Sequence, residues 1–298
     1  MQVTEADFLA ALRRLPLHPG ALGLADDAAR LGDLVLTKDL LVEGVHFLPD
    51  DPPGDVAWKL VATNLSDLAA KGAVPEGVLL GYPLSAPEWD AAFLAGLDAV
   101  LRTYAVPLLG GDTVTRGGSR TLSLTAIGRA AHAPTRSGAK AGDALWVTGT
   151  IGDAGAGLAI ARGEAGPAAL LERYRQPTPR LVEGLALAPL VSAMMDVSDG
   201  LLIDAARMAE ASGLALAIEL AAVPLSEAYR KTGRSVLTAA TAGDDYELLF
   251  ALGSNVTPPC PASRIGCFSV GGGLTLHQGD AAVPLPASLG YQHVEALI

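Results

Sequence analysis

Apolar and polar positions alternate along the chain in a way that separates helices from strands. Phe8, Leu9, Leu12 and Leu15 recur at helical spacing behind Thr4 and Asp7, which have a capping-box arrangement, and Pro16 stops the segment. Residues 34–42 read as a strand. From Val56 to Lys71 a helix is predicted, with Leu60, Val61, Asn64, Leu65, Leu68 and Ala69 on one face and Gly72 at its end. Residues 77–84 predict a further strand, Pro87 opens a helix carrying Phe93, Leu94, Leu97 and Leu101, and strands are predicted at 106–109 and 120–128. The small, polar segment from Ala133 to Gly142 reads as a linker, which sets domains at 1–135 and 136–298. Beyond it the alternation restarts. A strand at 144–148 feeds a Gly-rich run at 149–157 and a helix. More helices are predicted at 180–188, 200–212 and 235–241, with strands near 214–219, 246–251, 263–270 and 273–277. Gly271, Gly272 and Gly273 predict the turn of a terminal hairpin. The fold class is α/β in two domains.

Composition narrows the partners. The 298 residues are 50% apolar and 18% charged, a globular balance, and the net charge of −11 with no basic run excludes a nucleic-acid partner. The longest stretch without Asp, Glu, Lys or Arg, Leu248 to Ser263, is broken by Pro258, Pro259 and Pro261, so no membrane span is expected. Glu5 and Asp7 precede any apolar run, unlike a signal peptide, and a cytoplasmic location follows as an expectation. Cys260 and Cys267 are too few and too far apart for a paired-Cys zinc site and read as small apolar residues.

The chemistry lies in aspartates set among small or apolar neighbours. Asp26 and Asp27 lie in GLADDAA, Asp39 in LTKDLL, Asp67 in NLSDLAA, Asp112 in LLGGDT, and Asp196 and Asp199 in MMDVSDGL. Carboxylates in such surroundings need hydrogen bonds, a cation or a metal. Each alone is readily a cap or a turn residue, and Asp199 ahead of GLLIDAARMA reads as an N-cap. As a set, with Gly-Gly-Asp-Thr and Asp-x-Ser-Asp-Gly both present, they favour oxygen-only ligation of Mg²⁺, whose charge would let an acidic protein bind phosphate. No Walker-type G-x-x-x-x-G-K-[ST], no G-x-S-x-G and no H-E-x-x-H occurs. Gly149, Gly152 and Gly155 have the wrong spacing for a dinucleotide loop and read as close packing or a tight turn. His46 defaults to a packed or surface histidine, and Asp244, Asp245 and Glu247 to caps, although three carboxylates before an apolar run invite a binding role. Arg136 matters if the linker crosses a phosphate-binding cleft.

Eight ordered blocks (DDAA, TKDLLVEGVHF, NLSDLAAKGA, LLGGDT, TRSGAKAGD, VTGTIGDAGAGLAI, DVSDGL and GDDYELLF) resemble the thiamine-monophosphate kinase family, within the superfamily named for aminoimidazole ribonucleotide synthetase. The resemblance implies a homodimer of two-domain subunits with mixed sheets packed by helices. It also implies direct transfer of the ATP γ-phosphoryl group to thiamine monophosphate, assisted by several Mg²⁺ ions and without a phosphoenzyme. By the same resemblance Asp26, Thr37, Asp39, Asp67, Asp112, Asp196 and Asp199 are the metal ligands. Tyr104, Gly111, Asp112, Arg136 and Ser198 would contact ATP, and His46, Asp244 and Tyr291 the thiamine phosphate. Three positions depart from the family pattern: Ala25 for Gly, Lys38 for Thr, and Asp244 for Glu. Lys38 would place an ammonium beside Asp39, in the place of a metal. The alternatives are another ATP-dependent enzyme of the superfamily, of the purine-precursor ligase or selenide dikinase type, or a catalytically idle nucleotide-binding relative.

Overall fold

The computed structural model describes residues 5–292, so Thr4 of the predicted capping box lies outside the described residues. The first half contains α1 (Glu5–Leu12), β1 (Ala29–Leu31), β2 (Leu34–Val42), α2 (Pro53–Ala70), β3 (Val74–Leu84), α3 (Pro87–Thr103), β4 (Leu108–Thr115) and β5 (Thr121–Arg129). The opening helix ends three residues before the predicted Leu15, and the strand predicted at 106–109 instead carries the whole Gly-Gly-Asp-Thr motif. The second half contains β6 (Ala144–Thr148), α4 (Asp153–Ala161), α5 (Ala168–Arg175), α6 (Leu181–Leu187), β7 (Ala193–Asp196), α7 (Leu201–Ser212), β8 (Ala215–Glu219), α8 (Glu227–Arg230), α9 (Val236–Ala240), β9 (Leu248–Leu252), β10 (Ala262–Ser269), β11 (Gly273–Gln278) and β12 (Ala281–Val283).

The two halves form two mixed sheets. The first has the order β1-β2-β5-β3-β4, antiparallel except for the parallel pair β3 and β4, and the second runs β12-β11-β8-β10-β6-β9-β7. The predicted hairpin at Gly271–Gly273 does not form. Strand β8 lies between β10 and β11, antiparallel to one and parallel to the other, so the glycines carry the chain across the end of β8. The terminal hairpin is instead β11–β12, closed through Gly279 and Asp280, with Gly279 left-handed at φ 63°.

Helix α2 joins the halves. Pro53 starts it with a fixed φ, and the chain leaves it through left-handed Gly72. It is buried on almost every side because each face meets a different partner. Leu60, Val61, Leu65 and Leu68 pack with Val35, Val78, Leu122 and Leu124 of the first sheet. Ala69 and Ala70 pack with Leu187, Met194, Leu248 and Phe250 of the second half. Gly184 of α6 touches this helix so closely that a Cβ there would lie 2.1 Å from the Ala69 carbonyl oxygen.

The first sheet leaves two edges open among the described strands. Strand β1 pairs only with Leu34–Leu36, so the stretch of β2 carrying Thr37 and Asp39 has β5 on one side alone. At the other margin all 8 residues of β4 are exposed, including Leu108, Leu109 and Val114. Long apolar edges of this kind are templates for strand pairing.

Candidate active site

Period-two geometry on β2 turns Thr37 and Asp39 to one face and Lys38 to the other. The Lys38 ammonium donates to Ser123 Oγ at 2.6 Å on the neighbouring strand, so it does not take a metal's place beside Asp39. From α2 come Thr63, Asn64, Asp67 and Lys71, three and four residues apart and therefore on one stripe. Asn64 Oδ1 accepts the Asp39 backbone N–H at 3.2 Å and pins the strand to the helix. Strand β7 ends at Asp196 and releases the loop Val197–Gly200. Asp26 and Asp27 follow a turn in which Leu22, Gly23 and Leu24 are all left-handed, held by Arg13 donating to the carbonyls of Gly23 and Leu24. Ala25 has φ −123°, an ordinary value, so the family's glycine is not needed there.

These segments enclose a cavity of about 720 Å³ whose walls include Asp26, Asp27, Thr37, Asp39, Asp67, Arg136, Asp196, Ser198 and Asp199. Eight of the residues implied by the resemblance thus converge from positions up to 173 apart in the chain. Asp199 is not the cap of α7. Its carboxylate binds Arg207 at 2.5 Å, while Asp204 accepts the Asp199 and Gly200 backbone N–H groups.

Two electrostatic regimes share the cavity. Burial raises the Asp39 pKa to about 6, opposed by a hydrogen bond from Thr63 and reinforced by the charge of Asp27. Burial likewise takes Asp196 to about 8, with Asp27 adding to it. Asp67 is pushed well above the usual carboxylate range by burial and then by the charges of Asp39 and Asp196. Hydroxyl groups are their partners: Thr37 donates to Asp67, and Ser66 to Asp196 at 2.6 Å. Asp27 behaves oppositely. Burial alone would raise it, but Lys71 and Arg136 outweigh burial and hold it at about 2. The Lys71 ammonium contacts Asp26 and also lies 2.8 Å from Asp27, and the Arg136 guanidinium donates to Asp27.

The donor set suits Mg²⁺: carboxylates and a threonine hydroxyl face the cavity, and no His or Cys is among its lining residues. Among the described residues, no three carboxylate, imidazole or thiolate groups already stand at metal-ligating separation.

The remaining implied residues lie elsewhere. Asp112 and Gly111 sit on the exposed edge β4, where the left-handed Gly111 is required because a Cβ would meet the Leu80 carbonyl at 1.8 Å. Tyr104 caps the end of α3 with its ring 5.9 Å from Trp58. His46 and Asp244 are joined through Lys59, whose ammonium donates to Asp244 at 2.7 Å and to the His46 carbonyl at 3.1 Å. Tyr291 binds through its backbone N–H to the Asp199 carbonyl, beside the cavity loop. Asp244 and Tyr246 are left-handed, and both donate backbone N–H groups to Ser198 and Val197, which fastens the GDDYE loop to the DVSDG loop. Within that loop Asp245 is structural, accepting Gly152 N–H at 2.7 Å at the start of α4. Gly149, Gly152 and Gly155 are packing glycines, as the spacing implies, since Cβ atoms there would collide with Glu247, Ala239 and Ala242.

Residues that sequence reasoning passed over are Lys59, Lys71, Arg173, Arg180 and Arg207. Each pairs with a carboxylate: Lys59 with Asp244, Lys71 with Asp26 and Asp27, Arg207 with Asp199. Arg173 and Arg180 both clamp the fully buried Glu247. The scarcity of lysine, with two of the few placed inside an apolar helix, was the available signal.

With its two mixed sheets, shared helix and gathered aspartates, the chain matches the AIR synthase related proteins. The N-terminal domain of that family matches residues 25–130, and its C-terminal domain residues 140–276. Thiamine-monophosphate kinase of Caulobacter vibrioides is 41% identical over 97% of this chain and 91% of its own length, and that of Salmonella typhimurium is 41% identical over 77% and 76%. Among solved structures, AaThiL complexed with AMPPCP and TMP superposes with a TM-score of 0.88 at 28% identity, covering 99% of both chains. Thiamine-monophosphate kinase from Stenotrophomonas maltophilia K279a gives 0.76 at 36% identity, over 91% of this chain and 94% of that one. The chain belongs to the thiamine-monophosphate kinase family. Among the described residues no helix is long and apolar enough to cross a membrane.

Proposed function

We propose that this protein transfers the γ-phosphoryl group of ATP directly to thiamine monophosphate, giving thiamine diphosphate and ADP. The observation that carries this reading is the convergence of Asp39, Asp67, Asp196 and Asp199 with Thr37, Ser198 and Arg136 around one cavity. It is supported by 41% identity to the thiamine-monophosphate kinase of Caulobacter vibrioides over 97% of this chain, and by the superposable AaThiL complexed with AMPPCP and TMP.

Asp39, Asp67 and Asp196, with Thr37 and Asp199, would hold Mg²⁺; Asp26 belongs to the ligand set implied by resemblance. When bound, Mg²⁺ neutralises phosphate charge and lowers the repulsion between two anions. Arg136, in the cavity wall, offers a guanidinium fork to phosphate oxygens once it releases Asp27. Ser198 adds a hydroxyl donor. His46, Asp244 and Tyr291 take the thiamine end, with Lys59 orienting Asp244 before the cationic thiazolium arrives. The acceptor is a phosphate monoester already largely ionised near neutral pH, so no general base is required.

The working unit is a homodimer, located in the cytoplasm, with the domain boundary at 135/136. The homodimer draws support from the two open edges of the first sheet: β4 of each copy can pair with the free stretch of β2 in the other. That pairing would bring Gly111 and Asp112 of a second copy beside Thr37 and Asp39, and Tyr104 toward the ATP site.

The test is direct. Incubation with MgATP and thiamine monophosphate should give equimolar thiamine diphosphate and ADP. Absence of product from folded, Mg²⁺-supplied protein refutes the assignment.

A further inference from the structure

The acidic residues of the cavity are not equivalent as cation ligands. Asp67 and Asp196 have hydroxyl partners, and neither they nor Asp39 have a side-chain cation of the protein in ion-pair contact among the described residues. Asp26 and Asp27 are instead paired with cations from within the chain. One oxygen of Asp26 takes the Asp27 backbone N–H at 2.9 Å and the Lys71 ammonium; its other oxygen takes the Arg136 backbone N–H at 3.2 Å. Asp27 meets Lys71 with one oxygen and the Arg136 guanidinium with the other. Two carboxylates thus face two cations of the chain, of which Lys71 serves both and Arg136 serves Asp27.

Lys71 is built into this place. It stands at the C-terminal cap of α2, four residues beyond Asp67, where the helix dipole favours a cation. Its side chain is 3% exposed, and the Met194 carbonyl supplies a further oxygen at 3.3 Å. The ammonium therefore lies in an oxygen cage formed by Asp26, Asp27 and Met194, an environment that a dissociable cation would otherwise fill.

We propose that Lys71 is a covalently attached substitute for one divalent ion, so that Asp26 is a ligand of Lys71 and not of Mg²⁺. This rests on the reading above, in which the same cavity holds divalent ions at Asp39, Asp67 and Asp196. The protein would then assemble its phosphate-binding charge with one fewer exchangeable ion. Lys38, which the resemblance pointed to for such a substitution, is turned to the opposite face of β2.

The test counts ions on the full-length protein, with Mn²⁺ as probe and AMPPCP present, by equilibrium dialysis and elemental analysis. Lys71→Met, close in shape but neutral, should bind one more Mn²⁺ per chain than the wild type. Asp26→Asn should leave the wild-type count unchanged, and Asp67→Asn should lower it. An unchanged count in Lys71→Met, or a lost ion in Asp26→Asn, overturns the proposal while leaving the divalent-ion reading intact. Should Lys71→Met fail to fold, Asp26→Asn decides alone. If no protein binds Mn²⁺, including the wild type, the divalent-ion reading falls and this proposal with it.

Discussion

Replacing Asp196 with Asn should make the ion-free protein more stable and the working enzyme inactive. Asp196 is 3% exposed, accepts Ser66 Oγ at 2.6 Å, and has its pKa raised by burial from 3.8 to about 8. A raised carboxylate pKa means that the folded state holds a proton the unfolded chain has released. The resulting penalty is absent below pH 3.8, grows as pH rises, and is complete above about 8. At about 1.4 kcal/mol per pH unit, the interval from 3.8 to pH 7 sets an upper bound of about 4 kcal/mol. Relaxation and sharing of the proton with Asp39 and Asp67 reduce this, and the Asn amide needs an acceptor of its own, so about 2 kcal/mol is expected. Asn keeps the Ser66 hydrogen bond. For a chain of this size the gain corresponds to a melting temperature higher by about 4 °C. The assay is thermal unfolding of both proteins in EDTA across pH 5 to 8. The gap should be small at about pH 5 and widest at about pH 8. Adding Mg²⁺ and AMPPCP should reverse the order, because only the wild type keeps the ligand. A variant that melts below the wild type in EDTA at about pH 8, or a gap independent of pH, refutes the reasoning.

Glu247→Gln should cost about 3 kcal/mol in urea denaturation, since the fully buried carboxylate pairs with both Arg173 and Arg180 from its place between them and Thr148, and Glu183 reaches only Arg180; a loss below about 1 kcal/mol would show that the arginines find water instead. Gly184→Ala should cost about 3 kcal/mol or abolish folding, because its Cβ would sit 2.1 Å from the Ala69 carbonyl oxygen in a contact between two backbones. Wild-type stability in that variant would contradict the close approach of α6 and α2. Val114→Lys, at an exposed position on edge strand β4, should yield a folded monomer with little turnover in light scattering and product assays. A fully active monomer would remove the second copy's residues from the site.

Much of this arrangement is legible in the chain because local rules governed it. Apolar spacing locates α2, α3 and α7, whose buried faces are continuous, and the aspartates set among small residues, Asp112 excepted, do meet in one cavity. What was hidden depends on distance. Periodicity gives an element's face but not its neighbour, so it predicts a hairpin where β8 is in fact inserted between β10 and β11. Lys71 lies 45 residues from Asp26, and nothing local distinguishes its ammonium from a solvated one. Lys38 next to Asp39 in sequence suggested contact, whereas the strand's pleat separates the two side chains. Asp112 was grouped with the other aspartates by composition, and its edge strand sets it apart.

Because one helix is the inner wall of both halves, Asp67 and the small residues two and three places along it cannot shift independently. A methyl group wedged at the α6 crossing would push on the Ala69 backbone and shift Asp67, two residues away on the same helix, with it. Loss of turnover through damage at Ala69, Ala70 or Gly184 would then look like a chemical defect, although its origin is mechanical.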